Sequence, residues 1–380
     1  MSFLKLDKYL ASLEKADIHS IECIVYRDHE PLFHKCYGYS DPEKTHPTSP
    51  SDLYWLFSCS KVITCLAAVK LIDEGKLCLD DPVSKYLPEY ASLMVEADGK
   101  VSPAKNQMKI IHLFTMTGGL SYDFEAPKVT EFVANNPGAG TVDIVRALIR
   151  DPLIFEPGTH YRYSLCHDVL GAVIEVVSGK KLSEYLEENF FAPLGIKDIG
   201  FWPTEEQLRR FSATYTYDNK LNRARLIPTE NRFRFNSVFE SGGGGLFGNA
   251  SEYVKILDAI ACGGVCPNSH RIMSEKAVMM MTENHLDEQC ASDYRKSPRF
   301  FGYGWGLCGR VHMRPEVSCS LSPVGEFGWD GAAASFALID PFNKLSIFCA
   351  MHTRGCSFAY EKIHPTIRNL VYSELLSENN

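Results

Sequence analysis

Ser58 and Lys61 form a Ser-x-x-Lys tetrad where a strand-like run, residues 53–57, gives way to a helical pattern. A spacing of three puts both side chains on one face of a helix, so the ammonium can lie beside the hydroxyl. A serine hydroxyl is a weak nucleophile until a neighbouring group takes its proton, and a lysine one turn away can do so or can activate another base. Backbone N–H groups at the start of the helix can stabilise an oxyanion. The tetrad is compatible with nucleophilic catalysis, but its spacing alone does not identify a catalytic site.

Context distinguishes this tetrad from others of the same spacing. Only Ser58 follows an aromatic, apolar run and opens a strongly apolar helix, in which a lysine without a function would be costly to bury. Four other tetrads lack that context: Ser2/Lys5, Ser12/Lys15, Ser102/Lys105 and Ser178/Lys181.

A second candidate group follows a Pro-Gly turn at residues 157–158. There Tyr161 and Tyr163 lead into a helical pattern that begins near Asp168. The pKa of a tyrosine beside a cationic lysine can fall below about 10, which lets the phenolate act as a base. An isolated tyrosine more often packs beneath such a turn, so the residues alone leave both interpretations open.

A third candidate segment, residues 328–332, reads Gly-Trp-Asp-Gly-Ala at the start of an apolar strand. Glycine is required where the backbone approaches a ligand closely, and the N–H group of the next residue can then point into a site. The alternative is a turn at the edge of a strand with a packed Trp329.

Elements from both ends of the chain must position these segments. Strands are predicted at residues 21–26, 32–38, 304–311, 332–339 and 345–351, with turns at 27–31 and 340–343. Helical apolar spacing occurs at residues 4–16, 62–74, 143–149, 168–177, 183–190, 251–261 and 360–376. This order predicts an α/β fold of the α+β type, in which both ends of the chain build a sheet and a helical lobe is inserted between them.

Composition excludes several classes of protein. The 380 residues, 45% hydrophobic and 23% charged, have an ordinary globular composition and suffice for one large domain or two. A net charge of −8 without a long basic run argues against a nucleic-acid partner. No apolar stretch approaches the roughly 20 residues that span a bilayer, and the charged start is unlike a signal peptide. The thirteen cysteines lack paired CxxC spacing, which favours reduced thiols in the cytoplasm over disulfides or a zinc site.

Together the three segments resemble the three-motif signature of the serine β-lactamase and penicillin-binding-protein superfamily. Tyr163 lies 105 residues after Ser58, and Trp329 lies 166 residues after Tyr163, as suits the class C-like branch. The resemblance implies a β-lactamase-like fold with an antiparallel sheet domain, residues 1–80 and 215–380, a mostly helical insert, residues 81–214, and an active site between them. Connecting segments that match the same branch are residues 72–77, 80–83, 112–120 and 241–246.

Two departures from the β-lactamase pattern bear on the substrate. Leu165 occupies the position of an asparagine, and Trp329 replaces the lysine of the usual Lys-Thr-Gly motif. Both changes remove hydrogen bonds that hold the amide and the acid of a β-lactam. The chain is instead similar to the serine esterases of this superfamily and to related acyltransferases, and an apolar Trp329 suits an uncharged ester.

The resemblance implies a two-step acyl transfer that requires no metal or organic cofactor. Ser58 attacks the carbonyl, Lys61 and Tyr163 form the proton relay with Lys61 favouring the phenolate, and water then releases the acyl group. Because the second lysine is missing, the pKa of Tyr163 should fall less than in relatives, which predicts an alkaline pH optimum. The resemblance further implies an oxyanion hole, from the N–H groups of Ser58 and Ala332, and a substrate pocket that includes Trp329, Gly331, Leu165 and Tyr122.

These features favour a carboxylesterase for small or medium acyl esters, with a small-molecule ester or amide substrate and no nucleic-acid or membrane partner. A D-amino-acid peptidase or amidase, or an acyltransferase, with the same catalytic core stays open. So do a β-lactamase, which Leu165 and Trp329 disfavour, and a catalytically silent binding protein on the same scaffold. His167 is a weaker candidate for a second base. The sequence leaves the acyl group, the leaving group and the oligomeric state open.

Overall fold

The computed structural model describes residues 3–377, and the strands of its main sheet come from both ends of the chain, with shorter strands between them. These strands are β1 (Ser20–Arg27), β2 (Glu30–Gly38), β3 (Leu53–Trp55), β4 (Met94–Ala97), β5 (Lys100–Pro103), β6 (Ile199–Gly200), β7 (Thr214–Asp218), β8 (Arg223–Ile227), β9 (Phe247–Asn249), β10 (Tyr303–Gly306), β11 (Gly309–His312), β12 (Phe327–Gly328), β13 (Phe336–Asp340), β14 (Leu345–Met351) and β15 (Thr353–Arg354).

Helices occupy most of the segment between the two groups of strands and also begin and end the chain. They are α1 (Leu4–Ser12), α2 (Ser60–Asp73), α3 (Ile110–Phe114), α4 (Pro127–Asn135), α5 (Thr141–Leu148), α6 (Cys166–Ser178), α7 (Leu182–Leu186), α8 (Ala192–Leu194), α9 (Glu205–Leu208), α10 (Ala250–Ala261), α11 (Glu275–Met280), α12 (Glu288–Tyr294), α13 (Pro315–Ser318) and α14 (His364–Leu376).

A seven-stranded antiparallel sheet, ordered β10-β11-β12-β13-β14-β1-β2, joins the two ends of the chain. Strand β14 connects them, because Ile21 of β1 pairs with Met351 and Arg27 pairs with Leu345. The predicted sheet built from both ends of the chain and flanked by helices is therefore confirmed. Smaller sheets are β3-β9-β6, β15-β7-β8 and the hairpin β4-β5.

The sheet separates two apolar cores because its central strands are apolar on both faces. On one face, alternate residues of β1 such as Cys23 and Val25 pack with α1 and α14. On the other face, Ile24 belongs to a larger core that includes α2, α6 and α10. Helix α2 is buried on nearly all sides, as its continuous apolar sequence requires. Within residues 3–377, no helix is both long and apolar enough to cross a bilayer.

Two predicted strands differ from the structure in their extent. Residues 304–311 form the hairpin β10–β11 instead of one strand, and Gly309 permits its turn with a φ of +105°. The strand predicted at 332–339 begins only at Phe336, because residues 331–335 form a turn in which the Gly331 N–H bonds the Ser335 carbonyl at 2.8 Å. The third motif therefore lies on a turn rather than within a strand.

Three predicted helices are shorter than their apolar patterns suggested, because the adjoining turns have 3₁₀ or π-helical hydrogen bonds instead of α-helical ones. Helix α1 ends at Ser12 and continues as a 3₁₀ turn, Leu13–Ala16. Helix α7 gives way to a π-helical turn, Glu187–Phe191, and a similar turn, Ala359–Ile363, precedes α14.

Candidate active site

Ser58 lies in a 3₁₀ turn, Phe57–Cys59, that leads directly into α2. The turn is strained, since Phe57 has a φ of +46°, which costs a residue other than glycine about 1–3 kcal/mol. Its fully buried ring packs against Phe233 with centroids 5.5 Å apart, and this packing offsets the strain. The turn holds the Ser58 side chain at the floor of a cavity, where the residue is 8% exposed.

Lys61 is buried on the first turn of α2, and its ammonium faces Ser58. The Nζ atom lies 3.4 Å from Ser58 Oγ and donates a shorter hydrogen bond, 2.5 Å, to the Gly243 carbonyl. It also lies 4.5 Å from the ring centroid of Tyr163 and 5.4 Å from that of Tyr122. Carbonyl and aromatic groups thus surround a buried charge, and one of its three donors remains directed at the serine.

Asp168 positions the carbonyl that receives Lys61. At the N-terminus of α6, its Oδ1 accepts hydrogen bonds from Ser241 Oγ at 2.5 Å and from Gly243 N at 3.2 Å. Burial raises the pKa of Asp168, and the Lys61 charge and these hydrogen bonds oppose that rise. A Cβ at position 243 would lie 2.4 Å from Asp168 Oδ2, so this turn requires glycine. Sequence reasoning named this turn, residues 241–246, only as a segment that matches the family, and it gave Asp168 no role in the site. The available signal was an acid among apolar residues at the start of a helix.

Tyr163 reaches the site from the loop before α6. Its hydroxyl accepts a hydrogen bond from Trp329 Nε1 at 3.1 Å, and the two rings stack with centroids 5.7 Å apart. Burial raises the pKa of Tyr163 above its ordinary value, and interactions with Ser58 and Trp329 offset only part of that rise. The prediction that the pKa of Tyr163 falls below its ordinary value is wrong, because desolvation of the phenolate dominates.

Gly331 lets the third motif lie against the turn that carries Ser58. A Cβ there would lie 2.2 Å from Ser335 Oγ and 2.5 Å from the Leu56 carbonyl, distances that exclude a side chain. The next residue, Ala332, lines the cavity together with Ser58. Its N–H group has no acceptor within the part of the chain that the structure describes. This placement leaves a backbone donor beside the serine.

Asp330 contributes a carboxylate to the cavity wall, and neighbouring basic side chains balance its negative charge. It lies 3.4 Å from the Arg310 guanidinium and 3.5 Å from His364 Nδ1. Burial opposes ionisation of Asp330, yet His364 and Arg310 outweigh it and hold the pKa of this carboxyl well below its usual range. The geometry therefore assigns Asp330 to holding the turn rather than to proton transfer.

The cavity at Ser58 has a volume of about 360 Å³. Leu165 is buried and, like Tyr122, is not among its lining residues, although Tyr122 packs edge-on against Tyr163 at 5.2 Å. A larger surface depression, about 890 Å³, follows residues 216–225 and contains none of the predicted site residues. The lining residues of the smaller cavity are Ser58, Tyr161, Tyr163, Arg299, Phe300, Trp329, Asp330, Gly331, Ala332 and Tyr360.

Arg299 is a cation at this cavity that sequence reasoning missed. Its guanidinium carbon lies 4.3 Å from the ring centroid of Phe300 and 5.1 Å from that of Tyr360. No carboxylate within residues 3–377 forms an ion pair with it. An unpaired guanidinium beside aromatic walls can bind an anion, but the residue has no motif or periodicity to mark it in the sequence.

His167 does not form hydrogen bonds with the catalytic candidates. Its Nε2 lies 3.1 Å from the Phe114 carbonyl, and its ring also contacts the Cys65 sulfur. Burial lowers the pKa of His167 to about 3. The side chain is a neutral part of the core, so the prediction of a second base loses its geometric support.

Similarity to known proteins covers most of the chain. A profile of the family described as Beta-lactamase matches residues 6–365. Esterase EstB of Burkholderia gladioli is 29% identical over 354 residues, 87% of this chain and 85% of the esterase. A putative D-alanyl-D-alanine carboxypeptidase of Salmonella typhimurium is 25% identical over 394 residues, 96% of this chain and 85% of that protein. EstCE1, a hydrolase with promiscuous acyltransferase activity, has a solved structure that superimposes with a TM-score of 0.79 at 25% identity, covering 98% of each chain. The chain therefore belongs to the beta-lactamase family and is a serine hydrolase of that fold.

Proposed function

We propose that this protein is a carboxylesterase that forms an acyl-enzyme on Ser58. The observation that carries the proposal is the 3.4 Å contact between Ser58 Oγ and Lys61 Nζ in a cavity walled by aromatic rings. At the third motif, the indole of Trp329 stands where the β-lactamase pattern has an ammonium. The similarity to Esterase EstB supports an ester as the substrate class.

Acylation begins when Ser58 Oγ attacks the carbonyl carbon, forming a C–O bond and moving an electron pair onto the carbonyl oxygen. The serine proton passes to the pair formed by Lys61 and Tyr163, and the pair returns a proton to the departing alkoxide as its bond to carbon breaks. The Trp329 N–H, 3.1 Å from the Tyr163 oxygen, orients the phenol for this transfer. The alcohol therefore leaves neutral.

Stabilisation of the oxyanion falls to backbone donors. The N–H groups of Ser58 and Ala332 are proposed as the oxyanion hole, and the second has no acceptor within the described residues. Such donors stabilise the transition state because they are in place before charge develops. Water, activated by the same proton relay, then attacks the acyl-enzyme, releases a carboxylic acid and restores the Ser58 hydroxyl.

The cavity walls support a small or medium acyl ester. Phe300 stacks on Trp329 with centroids 5.9 Å apart, and Tyr161 and Tyr360 complete an aromatic surface. A volume of about 360 Å³ lies near the lower end of small-molecule sites. Trp329 and Gly331 are therefore proposed to contact the substrate. Leu165 is proposed to support the site indirectly by packing in the core beneath it, and Tyr122 by packing against Tyr163.

A D-amino-acid carboxypeptidase is a second candidate function, because Arg299 supplies a specific feature for it. The unpaired guanidinium lies where it can bind the terminal carboxylate of a peptide. The putative D-alanyl-D-alanine carboxypeptidase of Salmonella typhimurium supports this alternative. The same side chain also suits an ester that carries an acid group.

Two further proposals concern the placement of the site and of the protein. Tyr163 comes from residues 81–214, whereas Ser58 and Trp329 come from residues 1–80 and 215–380, which supports an active site between the two proposed units.

All thirteen cysteines are free thiols, including Cys23 and Cys349, which lie opposite each other on adjacent strands. Many cysteines without a disulfide between them are typical of a reducing compartment, which supports a cytoplasmic location.

The test is hydrolysis of p-nitrophenyl esters, D-amino-acid p-nitroanilides and nitrocefin by the wild type and by Ser58→Ala. The proposal predicts ester hydrolysis that falls about 10³-fold or more in Ser58→Ala. Ser102→Ala is a matched control, because Ser102 is an exposed serine in another Ser-x-x-Lys tetrad and should leave the rate unchanged. Undiminished hydrolysis by Ser58→Ala would refute the assignment, and a preference for the anilides would favour the peptidase.

A further inference from the structure

Glu22, His34 and Cys36 bring three metal-binding side chains together on the edge hairpin β1–β2. Glu22 lies directly opposite Cys36 in the strand register, and His34 is two residues from Cys36 on the same face of β2. Cross-strand pairs and alternate residues of one strand are neighbours on a sheet surface. The carboxylate oxygen, imidazole nitrogen and thiol sulfur all lie within 4.8 Å of one another. Separate stretches of sequence supply them, so the absence of CxxC spacing does not bear on this cluster.

Glu22 points to a missing ligand in this cluster. Its side chain is 0% exposed, and Oε1 contacts His34 Nε2 at 2.8 Å and accepts a hydrogen bond from Ser251 Oγ at 3.2 Å. Its other oxygen, Oε2, is buried without any partner within residues 3–377. A buried carboxylate oxygen normally has a hydrogen-bond donor or a cation beside it, so this atom is an unsatisfied acceptor within a cluster of possible ligands.

A second group with a similar composition provides a contrast. His29, Asp258 and Cys262 also place one ligand atom each within 4.8 Å. Both oxygens of Asp258 already accept hydrogen bonds from His29, at 3.2 Å from its backbone N–H and at 2.7 Å from Nδ1. That group is satisfied without a metal ion, whereas the Glu22 group is not.

The types of ligand identify the class of ion. Glu22, His34 and Cys36 offer one oxygen, one nitrogen and one sulfur atom, all within 4.8 Å of one another. A thiolate, an imidazole and a carboxylate together match Zn²⁺, a borderline-soft ion that accepts sulfur, nitrogen and oxygen ligands in tetrahedral geometry.

We propose that Glu22, His34 and Cys36 bind Zn²⁺, with water as the fourth ligand. The water can enter because β2 is an edge strand and the His34 side chain is 32% exposed. The ion satisfies Glu22 Oε2 and ties the edge strand to β1 and, through Ser251, to α10. The site is separate from Ser58, and its role is to stabilise the sheet rather than to take part in acyl transfer.

The test is titration of the purified full-length protein, stripped of metal with a chelator, with Co²⁺ and then with Zn²⁺. Co²⁺ bound by a thiolate gives a sulfur-to-metal charge-transfer band that Zn²⁺ should abolish by competition. The wild type should develop this band with one equivalent of Co²⁺ and show a higher melting temperature with Zn²⁺. Ser58→Ala should behave like the wild type.

Variants separate this cluster from other thiols. Cys36→Ser should abolish the charge-transfer band, and His34→Gln should retain a thiolate band but weaken Zn²⁺ binding about tenfold or more. Cys262→Ser is the matched control, since it removes the thiol of the satisfied cluster and should leave binding intact. If Cys36→Ser fails to fold, the His34→Gln affinity decides. No saturable binding by the wild type, a band that survives in Cys36→Ser, or unchanged affinity in His34→Gln would overturn the proposal.

Discussion

The ammonium nitrogen of Lys61 lies closer to the carbonyl oxygen of Gly243, at 2.5 Å, than to Ser58 Oγ, at 3.4 Å. The glycine-rich turn therefore fixes the lysine, and the lysine in turn faces the serine. Asp168 holds that turn through hydrogen bonds to Ser241 and Gly243. A chain of contacts thus runs from the Asp168 carboxylate on α6 to Ser58, and each contact leads to a separate prediction.

Asp168→Asn should lower kcat/KM for a p-nitrophenyl ester by about 10–100-fold, because a small displacement of Lys61 misaligns the proton transfer. The asparagine amide oxygen can still accept the hydrogen bond from Ser241 Oγ. The amide lacks, however, the negative charge that interacts favourably with the Lys61 ammonium. Steady-state kinetics and circular dichroism on the same samples separate a catalytic loss from a folding loss. Asp143→Asn, an exposed carboxylate on α5, is the control. Equal kcat/KM in Asp168→Asn and the wild type would contradict the positioning role.

Gly243→Ala adds only one methyl group, but we expect it to lower the catalytic rate strongly. The added Cβ would lie 2.4 Å from Asp168 Oδ2, so the backbone must shift and carry the Gly243 carbonyl away from Lys61. We expect kcat to fall about 100-fold while the substrate KM changes little. The matched control is Gly138→Ala, where an added Cβ meets nothing within 4 Å. Retention of full kcat in Gly243→Ala would show that the lysine does not depend on this carbonyl.

The pH profile tests the protonation state of Tyr163. Burial raises its pKa above the ordinary tyrosine value, so the phenol is neutral at pH 7. If the phenolate is the base, the active fraction grows as pH rises, and kcat/KM should increase nearly tenfold per pH unit from neutral into alkaline solution. Tyr163→Phe should reduce the rate and remove this slope. A wild-type profile that is flat between neutral and alkaline pH would exclude the phenolate as base.

Much of the fold was predictable because periodic patterns encode it. The strands at both ends of the chain and the helices between them follow from apolar spacing, and the turns at residues 27–31 and 340–343 follow from their turn residues. Errors arose where backbone geometry overrode the pattern. Residues 332–335 were predicted to belong to a strand, but Ala334 adopts a φ of +70° within the turn that begins at Gly331.

The candidate site was predictable to the extent that its residues carry motifs. Spacing and context selected Ser58, Lys61 and Tyr163, and the structure brings these three side chains together. Asp168 and Arg299 were missed because their environment comes from segments far away in sequence, which no local pattern records. The direction of the Tyr163 pKa was wrong for the same reason, since it depends on how deeply the ring is buried.

Arg299→Gln should separate acidic from neutral substrates. The Arg299 guanidinium lines the cavity and acts electrostatically on Asp330 there, but it forms no ion pair with a carboxylate within residues 3–377. It therefore keeps donors for an anionic group of the substrate. Since the residue is exposed and screened by solvent, we expect kcat/KM for a p-nitrophenyl ester with a terminal carboxylate to fall about three- to tenfold. The rate with p-nitrophenyl butyrate should not change, and Arg295→Gln should affect neither substrate. Equal losses for both esters would indicate a structural role instead.

Trp329→Phe tests the hydrogen bond that joins the second and third motifs. Phenylalanine keeps an aromatic wall but removes the indole N–H that lies 3.1 Å from the Tyr163 oxygen. That bond stabilises the phenolate and lowers the pKa of Tyr163, so its loss should raise this pKa further. If the phenolate is the base, the rising limb of kcat/KM should therefore move to higher pH.

The same shift should be absent from Trp202→Phe, which changes an indole that does not line the cavity. A general loss of packing in Trp329→Phe would lower kcat/KM at every pH without moving the limb, so the shape of the profile distinguishes the two effects. An unmoved limb would show that the indole N–H does not act on Tyr163, and that Trp329 contributes to the site by its shape alone.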